Sequence, residues 1–187
     1  MTTTDDSFTN DDTATADDRR FPAALAATLA LPFDYADGEG IDFEPFDSFV
    51  SAEETTDWFR SWTGNREVDG DAFRVFGMDG TGGYAAFWLV RPGRELTAQP
   101  VVFLGSEGET GVVARDLADF LWVLADGVGP QEAIEHYEVG LTSRPDAGRA
   151  ATAERFAPGR GRPAAELVRL AREEFADFDD VIMALCG

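Results

Sequence analysis

The sequence FRVFGMDGTGGYAAFWLV, residues 73–90, decides the fold because it joins two apolar runs through a glycine-rich turn. The runs, residues 73–76 and 84–90, contain the aromatic and β-branched residues that strands favour. A third run, VVFL at residues 101–104, follows a break that begins with RPGR at residues 91–94. Such short connections favour antiparallel pairing, since parallel strands need a crossover of roughly a dozen residues or more. The runs are continuous rather than alternating, which predicts a meander partly covered on both faces.

Helices are predicted on both sides of these strands in the chain. Ser51 and Glu54 have the spacing of a capping box at the start of a helix. The predicted helices cover residues 23–30, residues 51–62, a segment that Asp116 caps and Gly127–Pro130 ends, residues 131–138, and a last segment that Pro163 starts. Residues 144–149 and 158–163 are predicted as loops. The pattern indicates a single α+β domain with a central, largely antiparallel sheet of short strands flanked by helices.

The charge of the chain is strongly negative. It has 187 residues, with 36 acidic and 15 basic side chains and a net charge of -21. All basic residues are Arg, and nucleic-acid binding needs clustered basic residues, so we expect no nucleic-acid partner. A basic protein is the partner that such a charge attracts.

The N-terminal segment differs in composition from the rest. Residues 1–20 hold six Asp and six Thr and no aliphatic residue larger than Ala, which predicts a disordered acidic tail before a domain at residues 21–187. An acidic start is the opposite of a signal peptide. The longest apolar run, residues 84–90, is far shorter than the roughly 20 residues of a membrane span. We therefore expect a cytoplasmic chain without membrane contact.

Few residues have the chemistry of a catalytic centre. His136 and Cys186 are the single residues of their types, so neither an internal disulfide nor a zinc site of several Cys and His ligands is possible. We expect His136 to be a surface or packing residue. Three tryptophans, Trp62, Trp88 and Trp122, are expected in the core or in grooves. The sequence predicts no cofactor and no enzyme activity.

An ordered series of motifs between residues 76 and 130 supports a more specific interpretation. FGxDGTGG at residues 76–83 is followed by an apolar strand, by PVVFLGSEG at residues 100–108 and by a helix that begins DLADFL at residues 116–121. This order resembles the SUKH superfamily, the Smi/Knr-like proteins, over about 55 of the 187 residues. The N-terminal part departs from that family's usual opening helix and leading Pro motif.

The resemblance implies an α+β fold and a role in binding partner proteins. Bacterial members are mostly immunity proteins that neutralise toxins, often nucleases, and a fungal member regulates the cell wall through protein contacts. The first hypothesis is therefore an immunity-type protein that binds a basic toxin without doing chemistry itself. The same fold without a toxin would be a regulatory or scaffold protein, which is the second hypothesis.

The candidate contact residues are acidic. Asp79, Glu107 and Glu109 are expected on adjacent loops at one end of the sheet. Three further acidic residues are expected to add to the negative electrostatic field that attracts the partner, namely Asp42, Glu44 and Asp47. Two turn glycines, Gly82 and Gly83, are expected where the backbone needs a positive φ.

A third hypothesis is a metal-dependent hydrolase with oxygen ligands. Its candidate ligands are Asp37, Glu39, Asp42, Glu107 and Glu109. Hard cations such as Ca²⁺ and Mg²⁺ are bound by carboxylates of this kind.

Overall fold

A computed structural model of the chain describes residues 19–38 and 40–187, which form one α+β domain. Most of the predicted tail, residues 1–18, lies outside the described residues. Arg19 is already bound to the domain: its carbonyl accepts the backbone N–H of Phe49 at 2.9 Å, and its Nε donates to the Phe49 carbonyl at 2.8 Å. The described domain therefore begins two residues before Phe21, the boundary that composition predicts.

Five strands form one antiparallel sheet in the order β1-β2-β3-β4-β5. The strands are β1 (Glu44–Pro45), β2 (Phe73–Met78), β3 (Tyr84–Trp88), β4 (Val101–Leu104) and β5 (Thr110–Ala114). The predicted meander is confirmed as β2, β3 and β4, with β2 two residues longer and β3 two residues shorter than expected. The sequence does not predict the edge strands, because β1 has only two residues and the apolar run of β5 is only Val112–Val113.

Seven α-helices surround the sheet in the described residues. They are α1 (Ala23–Leu29), α2 (Ala52–Thr63), α3 (Leu117–Ala125), α4 (Pro130–Glu135), α5 (Ala147–Phe156), α6 (Ala164–Glu174) and α7 (Phe178–Met183). The capping box at Ser51 and Glu54 is present, and the Asp116 carboxylate caps α3. The predicted loop at residues 144–149 is wrong in its second half. There, Asp146 caps α5, a helix whose small and charged residues form no broad apolar stripe.

Both faces of the sheet are covered, as the continuous apolar runs predict. On the first face, sheet side chains pack with helix residues of α1, α3, α4, α5 and α6; they include Phe76, Phe87, Phe103, Phe120 and Leu167. On the second face, sheet side chains pack with α2, α6 and α7; the largest are Phe59, Phe73, Trp88, Leu104 and Phe178. Each large side chain that is removed from water stabilises the fold by about 1.5–3 kcal/mol. Burial on both faces therefore stabilises a sheet whose strands are short.

One end of the sheet brings separate loops together. The pairing register places Glu44, Met78, Tyr84, Leu104 and Thr110 side by side on the five strands. The β2–β3 turn and the β4–β5 turn both lie beyond this row. We define the acidic end as residues 79–83, residues 105–109 and Glu44.

The helices are short. Within the residues that the structure describes, none has the length and apolar composition needed to cross a bilayer. The longest, α2, has 12 residues and the next, α6, has 11.

Candidate functional site

The Asp79 side chain organises the β2–β3 turn. Its Oδ1 accepts hydrogen bonds from the backbone N–H of Thr81 at 2.9 Å, from the Thr81 hydroxyl at 2.9 Å and from the backbone N–H of Gly83 at 2.8 Å. Asp79 is only 2 % exposed. The prediction that Asp79 contacts a partner is therefore corrected, because its carboxylate lies beneath the surface and holds the turn in shape.

The two turn glycines have different roles. Gly82 has a φ of +93°, as predicted, which is a conformation that side-chain-bearing residues rarely adopt. The same prediction is wrong for Gly83, whose φ is not in that region. An ideal Cβ on Gly83 would lie 2.8 Å from Phe103 Cζ and 3.0 Å from Gly105 Cα. Gly83 is therefore required because the two turns approach each other closely.

The β4–β5 turn is held against the β2–β3 turn. The Ser106 hydroxyl donates to the Thr81 hydroxyl at 3.0 Å. Glu107 and Glu109 are exposed on this turn, so the expected juxtaposition of two acidic loops is present. Among the described residues, neither carboxylate has a hydrogen-bond or ion-pair partner. Their role in binding stays a prediction.

The Asp42 segment connects the acidic end to α4. Asp42 Oδ1 accepts the backbone N–H of Gly80 at 3.0 Å, and Glu132 Oε1 accepts the backbone N–H of Asp42 at 2.8 Å. Asp42 is half-buried, so its carboxylate stabilises the turn as well as adding negative charge.

Glu44 and Asp47 are both exposed, but their surroundings differ. Glu44 lies at the strand row of the acidic end. Asp47 lines an open depression together with Arg19 and Arg20, whose positive charges oppose its own. The contribution of Glu44 and Asp47 to the negative electrostatic field stays a prediction.

Three half-buried aromatic side chains lie beside the acidic end. The Trp58 ring stacks on Tyr84, with centroids 4.5 Å apart, and on Trp62, with centroids 5.0 Å apart. The Trp62 Nε1–H donates to the carbonyl of Gly105 at 2.9 Å. We define these three residues as the aromatic stack. The sequence predicts Trp62 in the core or a groove, but nothing in it pairs Trp58 with Tyr84, because that contact joins α2 to β3.

The aromatic stack is in a negative environment. Burial raises the pKa of the Tyr84 hydroxyl, and the nearby negative charge of Glu54 raises it further. Four arginines of the described residues lie over other rings, namely those of Phe33, Phe156, Phe175 and Tyr137. None of the described arginines lies over the aromatic stack.

His136 lies at the end of α4, and it is exposed as predicted. With Glu132, Thr142 and Arg144 it lines a cavity of about 130 Å³. Burial raises the pKa of Glu132. Cys186, the free cysteine, is exposed on the C-terminal segment.

The candidate metal ligands are dispersed in the described part of the chain. Glu39 lies outside the described residues. No group of three or more His, Cys, Asp or Glu side chains among the described residues is arranged to hold a metal ion. Asp37 is in a short 3-10 turn, whereas Asp42 is bound to Gly80.

Comparisons with protein-family models, with curated protein sequences and with solved structures find no match to this chain. The candidate site is thus defined by its own geometry. It consists of the acidic end, which includes Glu107 and Glu109, two exposed carboxylates without a partner among the described residues, and of the adjacent aromatic stack.

Proposed function

We propose that this protein is a non-enzymatic binding domain of the immunity type, which neutralises a basic toxin, such as a nuclease, by binding it. The observation that supports this most directly is a pair of exposed carboxylates, Glu107 and Glu109, which have no partner among the described residues and lie beside a half-buried aromatic stack. Aromatic residues within a polar rim are typical of binding hot spots.

The distribution of charge supports the same function. Residues 1–71 have a net charge of -14, whereas residues 144–187 have a net charge of only -1. A field of one sign accelerates the encounter with a protein of the opposite sign, and salt weakens this effect. A nuclease that binds nucleic acid has the basic surface that such a field attracts.

The resemblance to the SUKH superfamily supports a role in partner binding. The family resemblance implies an antiparallel sheet with helices beside it, and the fold is of that class. The motifs behind the resemblance supply both turns of the acidic end, at residues 79–83 and 105–109. Under this proposal the two turns are the recognition loops of the domain.

The experiment first captures the partner protein and then measures its activity in the reconstituted complex. The tagged full chain is used to capture proteins from a lysate of its source organism at low salt, and each basic protein recovered is then purified separately. The proposal predicts that one of them forms a complex of 1:1 stoichiometry, that its enzymatic activity falls as the complex forms, and that NaCl weakens the complex.

Two outcomes would count against the proposal. A set of unrelated basic proteins, none of which forms a defined complex, would show that the charge acts only non-specifically. A defined complex that leaves the partner's activity unchanged would exclude neutralisation and favour the regulatory or scaffold function.

A further inference from the structure

We propose that the end of the aromatic stack at Trp62 is a binding site for an arginine side chain of the partner. This inference depends on the proposed binding function and specifies the chemistry of one contact. The guanidinium would stack on the Trp62 ring and donate hydrogen bonds to the Glu109 carboxylate.

Gly105 brings the ring and the carboxylate together. Its carbonyl accepts the Trp62 Nε1–H at 2.9 Å. An ideal Cβ on Gly105 would lie only 2.7 Å from Glu109 Oε2, so this carboxylate folds back over the Gly105 Cα. The Trp62 indole and the Glu109 carboxylate, which has no partner among the described residues, thus both lie beside Gly105 at the start of the β4–β5 turn.

The Trp62 side chain is half-buried, so part of it is open to a ligand. Its one parallel ring contact among the described residues is with Trp58, at an interplanar angle of 17°, and its contact with Phe59 is edge-on at 83°. The ring is half-buried and fixed by its hydrogen bond, so little side-chain entropy is lost when a ligand stacks on it. Trp62 is therefore a preorganised end of the aromatic stack.

Arginine fits this arrangement better than lysine does. The guanidinium is planar, stacks on aromatic rings and presents a fork of donors that matches a carboxylate, whereas the ammonium of lysine is a compact and strongly hydrated charge. Trp is the strongest of the aromatic side chains in cation–π contacts. The chain already places arginines over four rings elsewhere, but this ring has no such partner among the described residues.

The test uses two capped pentapeptides, Gly-Arg-Gly-Arg-Gly and Gly-Lys-Gly-Lys-Gly, which have equal charge and length. Each is titrated into the ¹⁵N-labelled full chain at low salt, and the indole N–H signals of the four tryptophans are followed by NMR. The arginine peptide is expected to shift the Trp62 signal most and to bind about two- to five-fold more tightly than the lysine peptide. The signals of Trp88 and Trp122 are expected to stay in place.

Matched variants separate stacking from charge. Trp62→Leu is expected to reduce the ratio of the two affinities to about one. Trp122→Leu is the control, because Trp122 is also half-buried and also donates its Nε1–H to a backbone carbonyl at 2.9 Å. Glu109→Gln is expected to weaken both peptides, whereas Glu154→Gln, which removes the same charge on α5, should affect them less.

Equal affinities for the two peptides in the wild-type chain would overturn the arginine site, as would binding that moves Trp88 or Trp122 instead of Trp62. Because this comparison uses only the wild-type chain, it does not depend on whether any variant folds. The proposed function would survive that result, because it is tested separately by reconstitution with the partner. Failure of reconstitution would overturn the proposed function whatever the peptides do.

Discussion

Two groups of carboxylates in this protein differ in how their charge is compensated. At the start of α3, Asp119 is almost fully buried and accepts hydrogen bonds from Arg115 and Arg160, and Arg160 also binds Asp116. On the β4–β5 turn, by contrast, the carboxylates of Glu107 and Glu109 are exposed and have no partner among the described residues.

The difference shows that acidic composition alone does not locate a binding surface. A buried carboxylate with two arginine partners stabilises the fold and offers nothing to another protein. An exposed carboxylate without a partner adds little to stability, but its charge acts on molecules that approach. We call Asp116 and Asp119 structural carboxylates, and Glu107 and Glu109 recognition carboxylates.

The largest expected effect is the loss of a structural carboxylate. Asp119→Ala removes the shared partner of Arg115 and Arg160 and should lower the free energy of unfolding by about 3 kcal/mol. Glu109→Ala removes the same charge from the surface and should change it by less than about 0.5 kcal/mol. Urea unfolding of both variants measures the contrast. Equal effects would show that the division is wrong.

Asp79 should behave as a structural carboxylate despite its place at the acidic end. Asp79→Ala leaves the N–H groups of Thr81 and Gly83 without their acceptor, so the free energy of unfolding should fall by about 2 kcal/mol. Asp79→Asn keeps an acceptor oxygen and should lose less than half of that amount. Urea unfolding again provides the measurement, and a fully stable Asp79→Ala variant would contradict the assignment.

The recognition carboxylates should control the rate of association. The double variant Glu107→Lys and Glu109→Lys should slow association with the basic partner by about ten-fold at low salt, because the local field reverses. Stopped-flow kinetics measures this rate. The control is a double variant, Glu138→Lys and Glu154→Lys, which changes net charge equally on exposed positions away from the acidic end. If both double variants slow association equally, net charge rather than position is responsible.

The smallest effect concerns Glu132, which belongs to neither group. It is mostly buried, and it has no cationic hydrogen-bond partner among the described residues. Burial raises its pKa above 4.5, and the charge of Asp42 adds to the shift. The folded state thus holds this proton more tightly than the unfolded chain does. Stability from this group is complete below the ordinary pKa and is lost as the pH rises through the raised value.

Glu132→Gln removes this pH dependence and keeps an acceptor for the Asp42 N–H. The difference in unfolding free energy between variant and wild type should therefore shift in favour of the variant from about pH 4 to about pH 7. Urea unfolding at several pH values measures it. A difference that is constant, or that shifts the other way, would show that Glu132 has no raised pKa.

Local signals in the sequence account for much of the fold. The glycine-rich turn between two apolar runs predicts the β2–β3 hairpin, and the spacing of Ser51 and Glu54 predicts the start of α2. Helix α5 is not predicted, because its residues, AGRAATAERF, have helix propensity but form no broad apolar stripe. Strand β5 is not predicted either, because its pairing with β4, rather than its own composition, makes it a strand.

The candidate site is only partly predictable, because its parts meet through tertiary contacts. The adjacency of the turns at residues 79–83 and 105–109 follows from an antiparallel meander, and the sequence predicts it correctly. The burial of the Asp79 carboxylate is not predictable from the sequence pattern, because it depends on the hydrogen bonds that the carboxylate accepts within its own turn. The contact of Trp58 with Tyr84 joins residues 26 positions apart, so no local pattern reveals it.

Hydrogen–deuterium exchange of the chain, alone and in complex with the basic partner that we propose, tests most directly whether the acidic end is the binding surface. Slower exchange is expected in the complex at residues 79–83, at residues 105–109 and in α2, with α5 unchanged. Slower exchange confined to α5 and α6, with none at the two turns, would contradict this expectation and would place the partner on another surface of the domain.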